Sequence, residues 1–407
     1  MNNKLKKAFS NVDWIGSGSL NIVIATDSFK GSASTFEVAD SIEKGIKNLE
    51  PFASINKFPI SDGGEGTVDA LVAASNGKFI EKEVTNPLGE KVSARLGLLE
   101  NNIAVIAMAE ASGLTLIKED EKNPFKTTTY GTGELIKAAL DLGVDEILIG
   151  IGGSATNDGG AGMAQALGVS LKDGNGDPIG FGAEALENLE VVDVTNIDNR
   201  IKGTKVTVFS DVVNPLCGLN GASYIYGPQK GASEEDVKWL DQLLYKYGGT
   251  LEKQLNMPVM NEKGSGAAGG LGAGLLAFCN AEIHPGVNKI LEKTKLEDHI
   301  QNADLVITGE GKMDSQSVYG KAPIGVAKIA QKYNVPVIAI VGSEGSDIRE
   351  VYKHGIDLVI DIINKPMDLN KAMENACELI EYAGEKAIRS FKLKDKSLEW
   401  REPYEFV

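Results

Sequence analysis

Polar turns that combine glycine with carboxylate and lysine side chains hold the residues of this chain best suited to chemistry. The richest turn is TGEGKMDSQ at positions 308–316. Its Glu310 and Asp314 offer the hard oxygen ligands that Mg²⁺ prefers, while Lys312, with Lys321 nearby, could balance phosphate charge. Because lysines on both sides would keep Asp314 ionised, it is the best candidate for an essential catalytic carboxylate. This turn predicts chemistry on a phosphate group.

A second polar turn, GGSATNDGG at 152–160, runs from a short apolar strand-like segment into a helix-forming one. Its glycines let backbone N–H groups approach an anion, and the positive end of the following helix adds to that attraction. The turn therefore predicts a cradle for phosphate or substrate. It supplies Asp158 as a candidate catalytic base and five binding candidates, namely Gly152, Gly153, Ser154, Thr156 and Asn157.

Two other interpretations of the same turn stay open. Gly150, Gly152 and Ala155, with Asp173 about 20 residues further on, resemble a dinucleotide-binding fingerprint. The polar Thr-Asn-Asp segment, however, stands where such a site normally has an apolar helix face. The turn could also be a simple glycine-rich connection between a strand and a helix.

Three further polar turns follow predicted strands, DSFKGS at 27–32, SDGGEGT at 61–67 and SDVVNP at 210–215. In an open α/β sheet, ligands bind beyond the carboxyl ends of the strands. The turns add Lys30 as a catalytic residue that neutralises phosphate, Asp62 and Glu65 as Mg²⁺ ligands beside Glu310, Asp211 as an alternative base and Asn214 as a substrate ligand.

The elements that position these turns alternate between strands and helices at both ends of the chain. This rhythm holds over 21–75 and returns after residue 289, whereas 78–109 reads as antiparallel strands. We therefore predict an α/β protein of two domains, with the turns meeting in the cleft between them. A Rossmann-like parallel domain comprises 20–76 and 286–392, a mixed α/β domain is inserted at 77–285, and 1–19 and 393–407 are tails.

Composition excludes several classes of partner. A net charge of −16 argues against a nucleic-acid surface and against binding to an anionic membrane. The three cysteines stand far apart and form no CxxC pair, so we expect neither disulfides nor a zinc site, and a cytoplasmic location. No apolar run approaches the ~18 residues of a membrane span.

Taken together, glycine turns, carboxylates and lysines without a cysteine or histidine cluster favour Mg²⁺-assisted phosphoryl transfer over hydride, acyl or zinc chemistry. The known phosphate-binding motifs, such as the P-loop and the protein-kinase signatures, are missing.

Eight motifs resemble those of the bacterial type I glycerate kinases, in the same order and from about residue 21 to the last helix. The motifs are DSFKGS (27–32), DGGEGT (62–67), TTTYGTGELI (127–136), GIGGSATNDGGAGM (150–163), NPL (214–216), GPQKGA (227–232), GAAGGLGAGLLAF (266–278) and ITGEGKMDSQSVYGKAP (307–323). The resemblance implies a two-domain α/β enzyme that uses ATP to phosphorylate D-glycerate, with 2-phosphoglycerate favoured over 3-phosphoglycerate as product.

Three features depart from the family pattern. Thr26 stands where proline is frequent, Lys312 where arginine is usual, and the first 20 residues have no counterpart. A dinucleotide-dependent oxidoreductase and a non-catalytic sensor of a small acid remain as alternatives. The sequence does not indicate an oligomeric state.

Overall fold

Thirteen strands and twelve α-helices occur in the residues that the computed structural model describes, 19–60, 67–75, 77–284, 296–319 and 321–393. The strands are β1 Asn21–Thr26, β2 Ser54–Pro59, β3 Lys78–Thr85, β4 Lys91–Leu99, β5 Ile103–Ala107, β6 Glu146–Gly150, β7 Ser170–Lys172, β8 Val191–Asp193, β9 Lys205–Phe209, β10 Glu282–His284, β11 Leu305–Glu310, β12 Val337–Val341 and β13 Leu358–Asp361.

The α-helices are α1 Thr35–Leu49, α2 Thr67–Ala74, α3 Ala109–Ser112, α4 Tyr130–Asp141, α5 Ala161–Ala166, α6 Ala222–Tyr226, α7 Glu234–Leu255, α8 Leu271–Cys279, α9 Leu296–Ile300, α10 Ala322–Lys332, α11 Leu369–Glu374 and α12 Ala376–Lys392. Short 3₁₀ segments lie at Leu114–Leu116, Glu119–Glu121, Ala183–Asn188, Asn199–Gly203, Pro228–Lys230, Ala267–Gly270, Ser315–Tyr319 and Ile348–His354.

A five-stranded sheet combines strands from both ends of the chain in the order β13-β12-β11-β1-β2, and all its pairs are parallel. Numbered along the chain, this is the doubly wound order 2-1-3-4-5, so the strand order reverses between β1 and β11. Ile22 of β1 pairs with Leu305 of β11, which shows how closely the distant segments meet. The predicted parallel sheet built from both chain ends is confirmed.

A six-stranded sheet takes its strands from the middle of the chain in the order β10-β9-β6-β5-β4-β3. Strands β5, β6, β9 and β10 are parallel, whereas β3–β4 and β4–β5 are antiparallel. The antiparallel patch predicted over 78–109 is therefore confirmed, and it forms one edge of a mixed sheet. A two-stranded pair, β7–β8, stands apart from both sheets.

Helices cover both faces of the five-stranded sheet. On one face Ile22, Ile24 and Ile307 pack with Ile42 of α1 and Ile380 of α12. On the other face the alternate residues of the same strands pack against α9 and α10. Because both faces are buried, these strands are almost entirely apolar, as in VIAIV of β12.

Local signals correctly predicted where two helices begin. Ser34 and Glu37 have the spacing that predicts a capping box, and they form one at the start of α1, while Ser233 caps α7 as its residue type predicts. The sequence pattern predicts a helix over 233–244, and α7 continues from there through the glycines at 248 and 249 to Leu255.

The structure differs from three sequence-based expectations. The sequence pattern predicts one helix around 371–389 and one at 348–354, and the composition of 264–274 is typical of a linker. Two helices replace the first, because Asn375 ends α11 by donating its side-chain amide to the Lys371 carbonyl oxygen. Residues 348–354 are 3₁₀ rather than α-helical. The glycine-rich segment at 264–274 is buried and packs closely, so it is not an exposed linker.

The predicted boundary between residues 76 and 77 stays a prediction. Helix α2 precedes this boundary in the chain, yet it packs against the six-stranded sheet. Its Val68 and Leu71 belong to the same apolar cluster as Val105 and Phe209. Within the described ranges, no helix is both long and apolar enough to cross a membrane.

The packing of α1 against α12 gives a test of the fold. A Cβ atom added at Gly45 would lie 2.0 Å from the Glu381 carbonyl oxygen, so Gly45→Ala must push the helices apart. We expect a loss of about 1–3 kcal/mol in the free energy of unfolding, the usual range for overpacking, measured by urea denaturation. Gly249→Ala in α7 is the control, because no atom lies within 4 Å of its added Cβ, and it should stabilise the protein by about 0.5–1 kcal/mol. A Gly45→Ala variant as stable as the wild type would contradict this packing.

Candidate active site

A cavity of about 1320 Å³ lies where the carboxyl ends of the parallel strands of both sheets meet. One wall is formed by the turns after β1, β11, β12 and β13, including the switch point of the five-stranded sheet. The opposite wall is formed by the segments after β5, β6 and β9, with parts of β4 and α2. Four of the five predicted polar turns, those at 27–32, 152–160, 210–215 and 308–316, therefore contribute residues to one space.

Three lysines stand on the five-stranded wall, Lys30 after β1 and Lys312 and Lys321 after β11. The turns that carry them touch each other. A Cβ atom at Gly311 would lie 3.5 Å from the Lys30 backbone nitrogen, and one at Gly342 would lie 2.5 Å from the Gly311 carbonyl oxygen. The wall therefore brings three ammonium groups to the cavity, together with the carboxylates of Asp27, Glu310 and Asp368.

Glu310 lies among these lysines and is almost fully buried. Ser317 Oγ donates to its Oε1 atom over 2.6 Å, and Lys321 Nζ donates to Oε2 over 2.8 Å. Burial raises the pKa of Glu310, while these two hydrogen bonds act to lower it. Asp314, further along the turn, lies 3.6 Å from Lys312 Nζ and does not line the cavity.

The opposite wall presents Gly152, Gly153 and Ser154 to the cavity. This segment is fixed to residues 112–114: the Leu114 N–H donates to the Gly153 carbonyl oxygen and the Ala155 N–H to that of Ser112, both over 2.9 Å. One side of the turn therefore faces the cavity while the other side is tied to the protein interior.

The remainder of the turn is enclosed. Thr156, Asn157 and Asp158 are completely buried and do not line the cavity. The Asn157 side-chain amide donates to Ser223 Oγ over 3.0 Å, and Thr127 Oγ1 donates to the Ala155 carbonyl oxygen over 2.9 Å. These bonds connect the turn to the TTTYGTGELI motif and to α6.

Asp158 ties the turn to α4 and α5. Its carboxylate accepts the Thr129 N–H and hydroxyl and the N–H groups of Gly160 and Gly162. Burial raises the pKa of Asp158, and the four hydrogen bonds oppose that rise. A fully enclosed carboxylate with four internal donors organises the loop and makes no contact with the cavity.

Lys230, from the GPQKGA motif, contacts the same turn from the protein interior. Only 1% of this residue is exposed, and its ammonium group donates to the Thr156 carbonyl oxygen over 2.6 Å. Burial lowers the pKa of Lys230 to about 7, while the charge of Asp158 acts to raise it. The lysine thus satisfies a buried carbonyl at the cost of its own desolvation.

Arg95 of β4 provides a cation on the six-stranded wall. Its guanidinium bonds Asp69 of α2 over 2.9 Å and Glu110 of α3 over 3.2 Å, and it lies over the Phe79 ring. All three charged groups line the cavity. Since two carboxylates surround one guanidinium, this cluster fixes α2 and α3 to the sheet and is not itself an anion site.

The remaining predicted site residues lie in different surroundings. Asp211 lines the cavity and is exposed. Asn214 does not line it, but accepts a hydrogen bond over 2.8 Å from the hydroxyl of Tyr226, which does. Asp62 and Glu65 lie outside the described residues. Within those residues, no group of three His, Cys, Asp or Glu side chains converges on one point.

Comparison with known proteins agrees with this arrangement. The model of the glycerate kinase family matches residues 22–392. The chain belongs to the glycerate kinase family. A glycerate kinase of Bacillus subtilis (strain 168) is 50% identical over 375 residues, which cover 92% of this chain and 98% of the relative. A glycerate 2-kinase of Escherichia coli (strain K12) is 49% identical, covering 89% of this chain and 95% of the relative.

A solved structure shares the fold. The crystal structure described as glycerate kinase 2 from Salmonella typhimurium LT2 superposes with a TM-score of 0.82 at 45% identity, covering 93% of this chain and 100% of that one. The resemblance that the sequence motifs indicated is confirmed. The predicted kinase class is confirmed with it, which disfavours the oxidoreductase and sensor alternatives.

Sequence reasoning about this glycerate kinase family member missed Lys230, Arg95 and the partners of Arg95. Lys230 stood inside a recognised motif, GPQKGA, but nothing in the sequence showed that its ammonium is buried. Arg95 stands in an ordinary strand, and its partners come from helices distant along the chain. Contacts between residues that are distant along the chain produce no regular spacing in the sequence.

The buried lysine makes stability depend on pH. Between pH 7 and 10.5 the unfolded chain holds a proton on Lys230 that the folded chain has lost, so this group makes the free energy of unfolding rise with pH. Lys230→Met removes that contribution, and its unfolding free energy should rise less steeply by about 1.4 kcal/mol per pH unit. Chemical denaturation at several pH values in this window measures the difference.

Lys238→Met, at an exposed position of α7, is the matched control and should keep the wild-type slope. Parallel curves for the wild type and Lys230→Met would show that Lys230 titrates as it does in the unfolded chain.

Proposed function

We propose that the protein transfers the γ-phosphoryl group of ATP to D-glycerate with the help of Mg²⁺, forming 2-phosphoglycerate. Membership of the glycerate kinase family supports the reaction class. The observation that carries the assignment to this cavity is the meeting of three lysines on one wall with the glycine turn at 152–154 on the other. Such a space can hold a phosphate chain facing a small polar acceptor.

Lys30, Lys312 and Lys321 are assigned to the phosphates of ATP. Phosphoryl transfer depends on positioning and on neutralising the charge of the transferred group, and each lysine offers a point charge for that purpose. Lys321 is already oriented by Glu310, whereas Lys312 replaces the arginine usual in the family and provides charge without a bidentate fork.

Gly152, Gly153 and Ser154 are assigned to glycerate, because they present backbone groups and a hydroxyl on the wall facing the lysines. Thr156, Asn157 and Asp158 support this turn from the interior, so we assign them positioning roles in place of direct contact. We assign the role of candidate base to Asp211 instead of Asp158, since Asp211 lines the cavity. Asn214 acts through Tyr226, whose hydroxyl it holds.

The donor chemistry of the cavity fits Mg²⁺, which needs only one or two carboxylates when phosphates and water complete its shell. Glu310 would hold it, with Asp62 and Glu65 as further predicted ligands. When bound, the ion neutralises phosphate charge. A carboxylate already bonded to Lys321 and Ser317 keeps free lone pairs for such an ion.

We further propose that the two sheets mark the two predicted domains, so that the cavity lies between domains. Small-molecule substrates and a cytoplasmic location complete the proposal, the latter resting on cysteine usage and composition.

The identity of the reaction product tests the proposed function. Incubation of the protein with ATP, Mg²⁺ and D-glycerate should yield ADP and 2-phosphoglycerate, identified by ³¹P and ¹³C NMR. Glyoxylate or pyruvate with ATP serves as a control, since neither has glycerate's two hydroxyls. Formation of 3-phosphoglycerate would overturn the regiochemistry, and absence of any phosphoglycerate would overturn the function.

Asp314, the carboxylate that the sequence favoured as essential, does not line the cavity but lies beside Lys312, which does, so its role needs a test of its own. Asp314→Asn keeps the side-chain volume and removes the charge, so kcat should fall by ~10² or more. Recovery of activity at high Mg²⁺ would identify a metal ligand, and lack of recovery would favour a proton acceptor. The control Asp120→Asn changes an exposed carboxylate away from the cavity and should keep wild-type kcat. Wild-type kcat in Asp314→Asn at ordinary Mg²⁺ would rule out both roles.

A further inference from the structure

The cavity contains an apolar patch that the roles assigned above do not use. The patch consists of Phe36, Ile363, Met367, Leu369 and Met373. Phe36 and Ile363 are each 38% exposed, and Leu369 is 74% exposed. Single exposed apolar side chains are common on proteins, but here residues from three separate segments line one cavity.

The fold brings these segments together at one side of the five-stranded sheet. Phe36 stands in the first turn of α1, Ile363 follows the edge strand β13, and Met373 belongs to α11. Helices α1 and α12 pack directly against each other, and α11 immediately precedes α12. The patch therefore combines residues of α1 and α11 with the segment that connects β13 to α11.

The patch adjoins the lysines. A Cβ atom at Gly31 would lie 3.2 Å from Met373 Cε, and Gly31 directly follows Lys30. The turn after β12, between the patch and the Lys312 turn, also lines the cavity through Gly342 and Ser343. The apolar patch thus adjoins the turn that carries Lys30.

Charge on the patch itself is already balanced. Asp368 is the acidic residue beside it, and its carboxylate accepts the Lys371 N–H over 2.9 Å and lies 3.6 Å from Lys371 Nζ. A surface of this kind offers nothing to the carboxylate of glycerate or to a phosphate. It suits a flat, uncharged, weakly polar ring.

We propose that the apolar patch binds the adenine base of ATP. With the base there, the triphosphate extends past Gly31 to Lys30, Lys312 and Lys321, and its terminal phosphate faces the 152–154 turn. This inference rests on the proposed function for the identity of the ligand. It assigns to β13 and α11 a recognition role that no polar motif of the sequence indicated.

The test removes apolar surface without adding charge. In the double variant Ile363→Asn, Leu369→Asn, the KM for ATP should rise about tenfold, since burial of a ring against two aliphatic side chains is lost. The kcat and the KM for glycerate should stay within about twofold of the wild type. The exposed Leu393 lies outside the cavity, and Leu393→Asn is the matched control that should leave all three constants unchanged.

Inorganic tripolyphosphate separates the base from the phosphates. As an inhibitor without a base it should compete with ATP equally well in the wild type and the double variant, which also shows that the lysine wall remains folded. An unchanged KM for ATP would overturn the proposal. So would an equal loss of affinity for ATP and tripolyphosphate, or a rise confined to the KM for glycerate.

Direct binding keeps this test independent of the reaction. Calorimetry should show that the Kd for ADP rises about tenfold in the double variant. If the wild type binds ADP but does not phosphorylate glycerate, the proposed function fails while the adenine assignment is still decided by this comparison. Photolabelling of the wild type with 8-azido-ATP should modify residues 362–376, and exclusive labelling elsewhere would contradict the assignment.

Discussion

The hydrogen bond from the Lys230 ammonium to the Thr156 carbonyl oxygen is the interaction on which the six-stranded wall of the site depends. The turn presents Gly152 to Ser154 to the cavity and buries the residues that follow, whose polar groups then need partners inside the protein. Lys230, Ser223, Thr127 and Thr129 provide partners for the Thr156 carbonyl, the Asn157 amide, the Ala155 carbonyl and the Asp158 carboxylate. Three separate motifs of the sequence are thereby explained by one requirement, the support of a single loop.

The opposite wall, formed by the five-stranded sheet, offers lysine side chains to a polyanion, although the protein as a whole is acidic. Parallel strands place their following turns on one edge, and the reversal of strand order between β1 and β11 opens a gap there. Lys30 and Lys312 enter that gap from neighbouring turns. Because salt screens charges beyond about 10 Å, these nearby lysines would affect a bound anion more than the net charge of −16 spread over the whole chain.

Much of this architecture could be predicted because the signals are local. Alternating apolar strands and helices, the capping box at Ser34, the helix cap at Ser233 and polar turns at strand ends each depend on a few consecutive residues. The burial of Asp158 could not be predicted in this way, because a carboxylate in a glycine turn has the same local signature whether it faces solvent or four N–H and O–H donors. The ion pairs of Arg95 and the apolar patch likewise depend on contacts between distant segments.

The position of β1 between β2 and β11 in the five-stranded sheet has a consequence for the order of folding. Its neighbour β2 is synthesised soon afterwards, but β11 emerges from the ribosome only after the whole six-stranded sheet has been made. At a synthesis rate of about 5–20 residues per second, β1 stays without its second pairing strand for tens of seconds. The apolar face of α1 stays uncovered for longer, until α12 has been synthesised. The six-stranded sheet can assemble during this interval, so β1 is fully paired only after strands that are synthesised much later. Until then one edge of β1 is unpaired, and unpaired strand edges favour aggregation.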